Sequence, residues 1–111
     1  MLIVDTGVLV AATDRTDRFH VRCVELLEAA SGPLVTTAMV IAECSYLIER
    51  ELGSVAESLL YQSIIDQMLL IEDLTARDWE RIRVLVTTYQ TLPLGGTDAS
   101  LIAIAERLGQ T

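Results

Sequence analysis

Three carboxylates stand where a purely structural role explains them poorly. Asp5 ends the apolar run Leu2, Ile3, Val4, which places it at the C-terminal end of the expected first and central strand of a sheet. In open α/β sheets that edge is where ligands bind. Glu43 falls in the middle of an expected helix, with Met39, Val40, Tyr46 and Leu47 three and four residues to either side, so its face is expected to be buried. An unpaired carboxylate in such surroundings must be neutral, paired or bound to a cation, and Arg50 lies seven residues on along the helix. Asp98 follows Gly95 and Gly96 and opens the last helix, with Leu94, Leu101 and Ile102 at helical spacing. A first-turn acid also has an ordinary explanation in the helix dipole. If the three acids converge, a hard divalent cation, Mg2+ or Mn2+, relieves their repulsion. Such an ion polarises a phosphodiester, activates a water and steadies the leaving oxygen, so phosphodiester hydrolysis is the chemistry expected.

Other chemistry-bearing residues have simpler explanations. Asp17, Glu57 and Asp78 sit at expected helix starts, while Glu49, Glu51, Glu72 and Glu106 suit solvated faces or turns. His20, the only histidine, could serve as a general base, but as a first-turn residue after Asp17 it has a structural role, and metal-assisted hydrolysis does not require it. Tyr46 and Trp79 fall on apolar helical faces and are expected in the core rather than as base-stacking platforms. Cys23 and Cys44 lack metal-ligand spacing and are expected to be free, buried thiols.

The elements that must position these groups follow from local signals. Leu2 to Val4 reads as a buried parallel strand, and Val8 to Ala12 begins a short helical turn. After the polar loop Thr13 to Asp17, Asp17 can cap a helix whose Cys23, Val24 and Leu27 share a face, ending near Ser31, Gly32 and Pro33. Leu34 and Val35 form a second strand. Thr37 caps a helix from Ala38 to Leu52, closed by Gly53. Ser54 and Glu57 have capping-box spacing for a helix to about Gln67, and Met68 to Ile71 gives a third strand. Thr75 and Asp78 cap a helix with Trp79, Ile82, Leu85 and Val86 on one face. The loop LPLGG precedes a last helix from Thr97 through Leu108. Short strands alternating with amphipathic helices predict one helix-dominated α/β domain over residues 1–111, with a parallel sheet and right-handed crossovers.

Composition narrows the function. With 51% hydrophobic residues among 111, a single packed core is expected. No apolar run is long enough to span a bilayer and MLIVDTG has no basic stretch before its apolar segment, so a cytoplasmic location is expected. The net charge is −8, from sixteen acids and eight bases. All the bases are arginine, which excludes a P-loop and a response-regulator receiver built in the usual way, since each needs a lysine. A phosphatase of the haloacid-dehalogenase type would want an acid where Gly7 stands and a lysine as well. The acidic balance also argues against a nucleic-acid coat protein.

The segments LIVDTGVLV, VIAECSYLIER and LPLGGTDASLIAIAERLG together resemble, in order and over most of the chain, the PIN-domain ribonucleases, and more narrowly the VapC-type toxins of toxin–antitoxin pairs. The resemblance implies a three-layer α/β/α domain with a short parallel sheet. It implies that Asp5 and Asp98 bind Mg2+, with Mn2+ able to substitute, that Glu43 completes the catalytic cluster, and that Thr6 gives hydrogen-bonding support. Thr6 could equally cap the helical turn beginning at Gly7. The implied activity is endoribonucleolytic, on transfer or ribosomal RNA at a single-stranded site. The implied partners are a VapB-type antitoxin with a basic segment and a second copy of the chain. The family pattern adds a further strand and acid after the helix ending at Leu108, and the expectation is that the intact gene product continues past Thr111 to supply them. RNA binding by so acidic a chain calls for arginines such as Arg15, Arg18 and Arg22 near the site, although each also suits a solvated face. The alternative from another class is a catalytically weak PIN-like module that acts by binding its partner.

Overall fold

A computed structural model describes residues 1–91 and 94–109, so Leu92 and Pro93 of the LPLGG loop lie outside the described residues. Three short strands, β1 (Leu2–Ile3), β2 (Leu34–Thr36) and β3 (Leu69–Ile71), form a parallel sheet in the order β1-β2-β3. Leu2 pairs with Leu34, and Leu34 with Leu69. Each crossover carries the chain one strand further in the same direction. The described sheet therefore has β2 at its centre and β1 at an edge, where the sequence had placed β1 centrally.

Six helices connect and cover the strands: α1 (Thr6–Thr13), α2 (His20–Ala29), α3 (Ala38–Leu52), α4 (Ser54–Ile65), α5 (Ala76–Thr88) and α6 (Gly96–Arg107). This is the helix-rich α/β architecture expected. Helix α3 has the bounds read from sequence because both of its signals are local. Thr37 accepts a hydrogen bond from the Val40 amide, and Gly53 closes the helix at φ 89°, a conformation that costs any other residue steric strain. Gly53 is also the residue from which α4 starts. That double use draws Ser54 into the first helical position, so the Ser54–Glu57 capping box does not form, and Glu57 instead accepts from Tyr61.

Helix α2 starts later than expected. Asp17 accepts from the Phe19 amide through its side chain at 2.8 Å and from the His20 amide through its carbonyl at 3.0 Å, forming a turn that precedes the helix. Its apolar face is only half-buried at Cys23, Val24 and Leu27. Cys23 is thus half-buried rather than buried, while Cys44 is fully buried, and both are free.

Two packed clusters hold the layers. Val4, Leu9, Val40, Cys44, Ile48 and Leu69 join β1, α1, α3 and β3. Ile82, Leu85, Ala99 and Ala103 join α5 to α6, where small residues allow close approach. Trp79 does not share the buried face of α5: it is 51% exposed, and Val86 is exposed beside it. The buried position is Asp78, at 3% exposure. It completes the capping box with Thr75 and accepts from Arg107 Nε and Nη2. Arg107 also reaches Glu72 and the Asp73 carbonyl, so one guanidinium locks the end of α6 to the start of α5. Among the described residues no helix is long and apolar enough to cross a membrane.

Burial raises the Asp78 carboxyl, but Arg107 and the Thr75 amide outweigh it and hold the group below its ordinary value. An acid lowered in the folded state adds stability that is present above its unfolded value, near pH 4, and is lost as pH falls through the lower folded value. Asp78→Asn should therefore destabilise the protein by about 2 kcal/mol at neutral pH through weaker charged hydrogen bonds. Urea denaturation curves of wild type and variant should converge as the pH falls below the carboxylate range.

Candidate active site

Because the strands are parallel, α1 and α3 start at the same edge of the sheet. Asp5 follows β1 and caps α1, accepting from the Val8 amide at 2.9 Å through Oδ1. Thr6, the first residue of α1, does not cap it. Its hydroxyl donates to Glu43 Oε2 at 3.3 Å, a contact that ties α1 to α3.

Glu43 is exposed, contrary to the burial expected from its neighbours. The buried arc of α3 runs through Val40, Ile41, Cys44 and Ile48. Glu43 sits beside that arc, and Tyr46 is 62% exposed, so an apolar neighbourhood in the sequence did not mean a packed one. Asp98 is exposed in the first turn of α6. An open cleft of about 620 Å³ brings the three acids together, lined by Asp5, Thr6, Gly7, Glu43, Thr97 and Asp98 among others.

A buried pair of hydroxyls, missed in the sequence, brings α6 to this edge. Thr37 Oγ1 lies 2.8 Å from Ser100 Oγ, and both residues are wholly buried. Ser100 donates to the Thr97 carbonyl at 2.6 Å. That uses its one proton, so Thr37 is the donor to Ser100 while accepting from the Val40 amide. The cap of α3 and the first turns of α6 are joined by one directed chain of bonds. Thr36 adds a second anchor, donating to the Val4 carbonyl at 2.8 Å. The cap signal of Thr37 was legible, but its partner lies 63 residues away.

Cys44 is buried in the core next to Glu43, its thiol directed at the Thr6 carbonyl 3.8 Å away. Burial first, and then the charges of Glu43 and Asp5, push it up to about 11. It stays a thiol at neutral pH. His20 lies elsewhere. It donates from Nδ1 to the Ala11 carbonyl at 2.8 Å and lines a second groove together with Arg15, so it has no place in the acidic cleft. Arg18 stacks on Phe19, and none of Arg15, Arg18 and Arg22 lines the cleft.

The donors of the cleft are carboxylate and hydroxyl oxygens, the set that suits Mg2+ or Mn2+. Among the described residues no three acids, cysteines or histidines stand close enough to enclose an ion by themselves. Mg2+ does not require such a cage, because it keeps several waters and takes one or two carboxylates. The donor chemistry fits the ion.

The PIN domain model matches residues 2–111. The chain belongs to the PIN domain family. It is 27% identical over 106 residues, 96% of this chain and 78% of the relative, to Ribonuclease VapC26 of Mycobacterium tuberculosis. Its fold superposes on the crystal structure of VapC20 from the same organism, a sarcin-ricin loop cleaving toxin, with a TM-score of 0.92. That match has 20% identity and covers 99% of this chain and 85% of the other.

The Thr37–Ser100 bond is expected to be cooperative. Ser100→Ala leaves the buried Thr37 hydroxyl without an acceptor and should cost about 1–2 kcal/mol. A double-mutant cycle with Thr37→Val, read by urea denaturation, should show a coupling of at least about 0.5 kcal/mol.

Proposed function

We propose that this PIN-domain protein is a divalent-metal-dependent endoribonuclease toxin, acting in the cytoplasm on transfer or ribosomal RNA. The single observation that carries this is the convergence of Asp5, Glu43 and Asp98, from three separate elements, on one open cleft. The relatives support the substrate class, one being named a ribonuclease and another a toxin that cleaves the sarcin-ricin loop.

Asp5 and Asp98 would hold Mg2+, Asp5 through the oxygen that does not cap α1. When bound there, the ion would neutralise the phosphate and lower the pKa of a water. Glu43, which receives the Thr6 hydroxyl at Oε2, would have Oε1 to take the proton of an attacking water. The water oxygen attacks phosphorus, the bond to the leaving oxygen breaks, and that oxygen takes a proton from solvent in the open cleft. The acids disfavour RNA in the absence of a counter-cation, so activity is strictly metal-dependent.

The same acidic cleft suits the basic segment of a VapB-type antitoxin. A second groove of about 590 Å³, lined by Leu9, Leu27, Leu59, Leu60 and Met68 among others, offers an apolar seat for the rest of that partner. The active form is a homodimer. That no three such side chains among the described residues could enclose an ion favours the rival view of a weak binding module, and cleavage assays decide between them.

Asp5→Asn, Glu43→Gln and Asp98→Asn each keep size, and asparagine remains a good helix cap at position 5. Each should lower metal-dependent RNA cleavage by about 100-fold or more with unchanged thermal unfolding, and chelator should abolish wild-type cleavage. Partner-free wild type that binds an antitoxin tightly but cuts no RNA with Mg2+ or Mn2+ would establish the binding module instead.

A further inference from the structure

Among the described residues the lining of the acidic cleft includes no arginine and no aromatic ring. Single-stranded RNA is held by stacking of unpaired bases and by cations on its phosphates. The grip must come from beside the cleft.

Helix α3 supplies both parts in one stripe. Glu43, Tyr46 and Arg50 stand at helical positions i, i+3 and i+7, which share a face. Tyr46 is 62% exposed. Helical side chains lean back toward the N-terminus, so the ring lies toward the turn that carries Glu43, about 5–6 Å away at the level of Cβ. The Arg50 guanidinium lies 5.5 Å from the ring centroid, bracing the ring from the side away from the cleft. Besides Tyr46, Arg50 meets its exposed neighbour Glu51, in an ion pair at 2.9 Å. Such surface pairs contribute little, so the guanidinium can exchange Glu51 for a phosphate.

The competing pair, Arg18 over the half-exposed Phe19 ring, lies past the far end of α1. The eight residues of that helix carry it about 12 Å from Asp5.

We propose that Tyr46 is the stacking platform for an unpaired base of the RNA substrate next to the scissile phosphate, with Arg50 binding the adjoining phosphate. This rests on the ribonuclease function proposed above and names the part of the surface that selects single-stranded RNA. A ring so exposed could instead serve a second copy of the chain, and the experiment separates the two.

The test is steady-state cleavage of a single-stranded RNA oligonucleotide with saturating Mg2+ by wild type, Tyr46→Ala, Tyr46→Phe and Tyr46→Trp, together with sedimentation of each protein. Tyr46→Ala should lower kcat/KM about 10-fold or more, mainly through KM. Phe and Trp should restore it, and sedimentation should not change. An abasic substitution scanned along the oligonucleotide should find one position that weakens wild type and leaves Tyr46→Ala unaffected. Wild-type kinetics in Tyr46→Ala, or a loss of activity that follows a change in oligomeric state, would overturn the stacking role alone. A wild type that cleaves no RNA would overturn the ribonuclease function and this role with it.

Discussion

The bond between Thr37 and Ser100 decides where the acids meet. A parallel sheet brings the starts of α1 and α3 to one edge by its topology, since each helix follows a strand that ends there. Helix α6 follows α5 rather than a strand, so nothing in the sheet brings Asp98 to that edge. Two wholly buried hydroxyls, with their donor directions fixed by the Thr97 carbonyl and the Val40 amide, hold the first turns of α6 against the cap of α3. At the other end of α6, Arg107 is locked to Asp78. The helix is pinned at both ends by polar bonds and packed between them through Ala99, Ala103 and Ile104.

The acids themselves are held by their second duties. Asp5 is the cap of α1, Glu43 receives the Thr6 hydroxyl, and Asp98 lies in the first turn of α6, where the helix dipole favours it. Their exposure keeps their mutual repulsion in a high dielectric. The cleft is negative, and among the described residues no arginine lines it. Elsewhere Arg81, Arg83 and Arg107 are paired with carboxylates. On the proposed function, an anionic substrate would need a cation brought from outside to enter this cleft.

What could be read from the sequence followed the range of each interaction. Helix α3 was legible to the residue because Thr37 and Gly53 act within a turn of its ends, and the Thr75–Asp78 box was legible for the same reason. Asp17 and Ser54 carried the same kind of signal, but a turn before α2 and the shared glycine before α4 used them otherwise. The acids were found by type and position, yet the burial claimed for Glu43 was wrong, because periodicity gives the face of a helix and not which neighbour covers it. Tyr46 and Trp79 were misassigned to the core on the same ground. Asp78 and Arg107 are 29 residues apart, and Thr37 and Ser100 are 63 apart. No local pattern encodes such pairs.

The central claim is that Asp5 and Asp98 hold one cation beside Glu43, although among the described residues no trio encloses an ion unaided. A titration of the protein with Mn2+, followed by paramagnetic broadening of backbone amide signals, tests it most directly. A single site predicts that the signals of Thr6, Glu43 and Asp98 broaden together at one midpoint and recover together when Mg2+ is added in excess. Broadening that spreads over the acidic surface without a common midpoint, or that spares any one of the three, would contradict it.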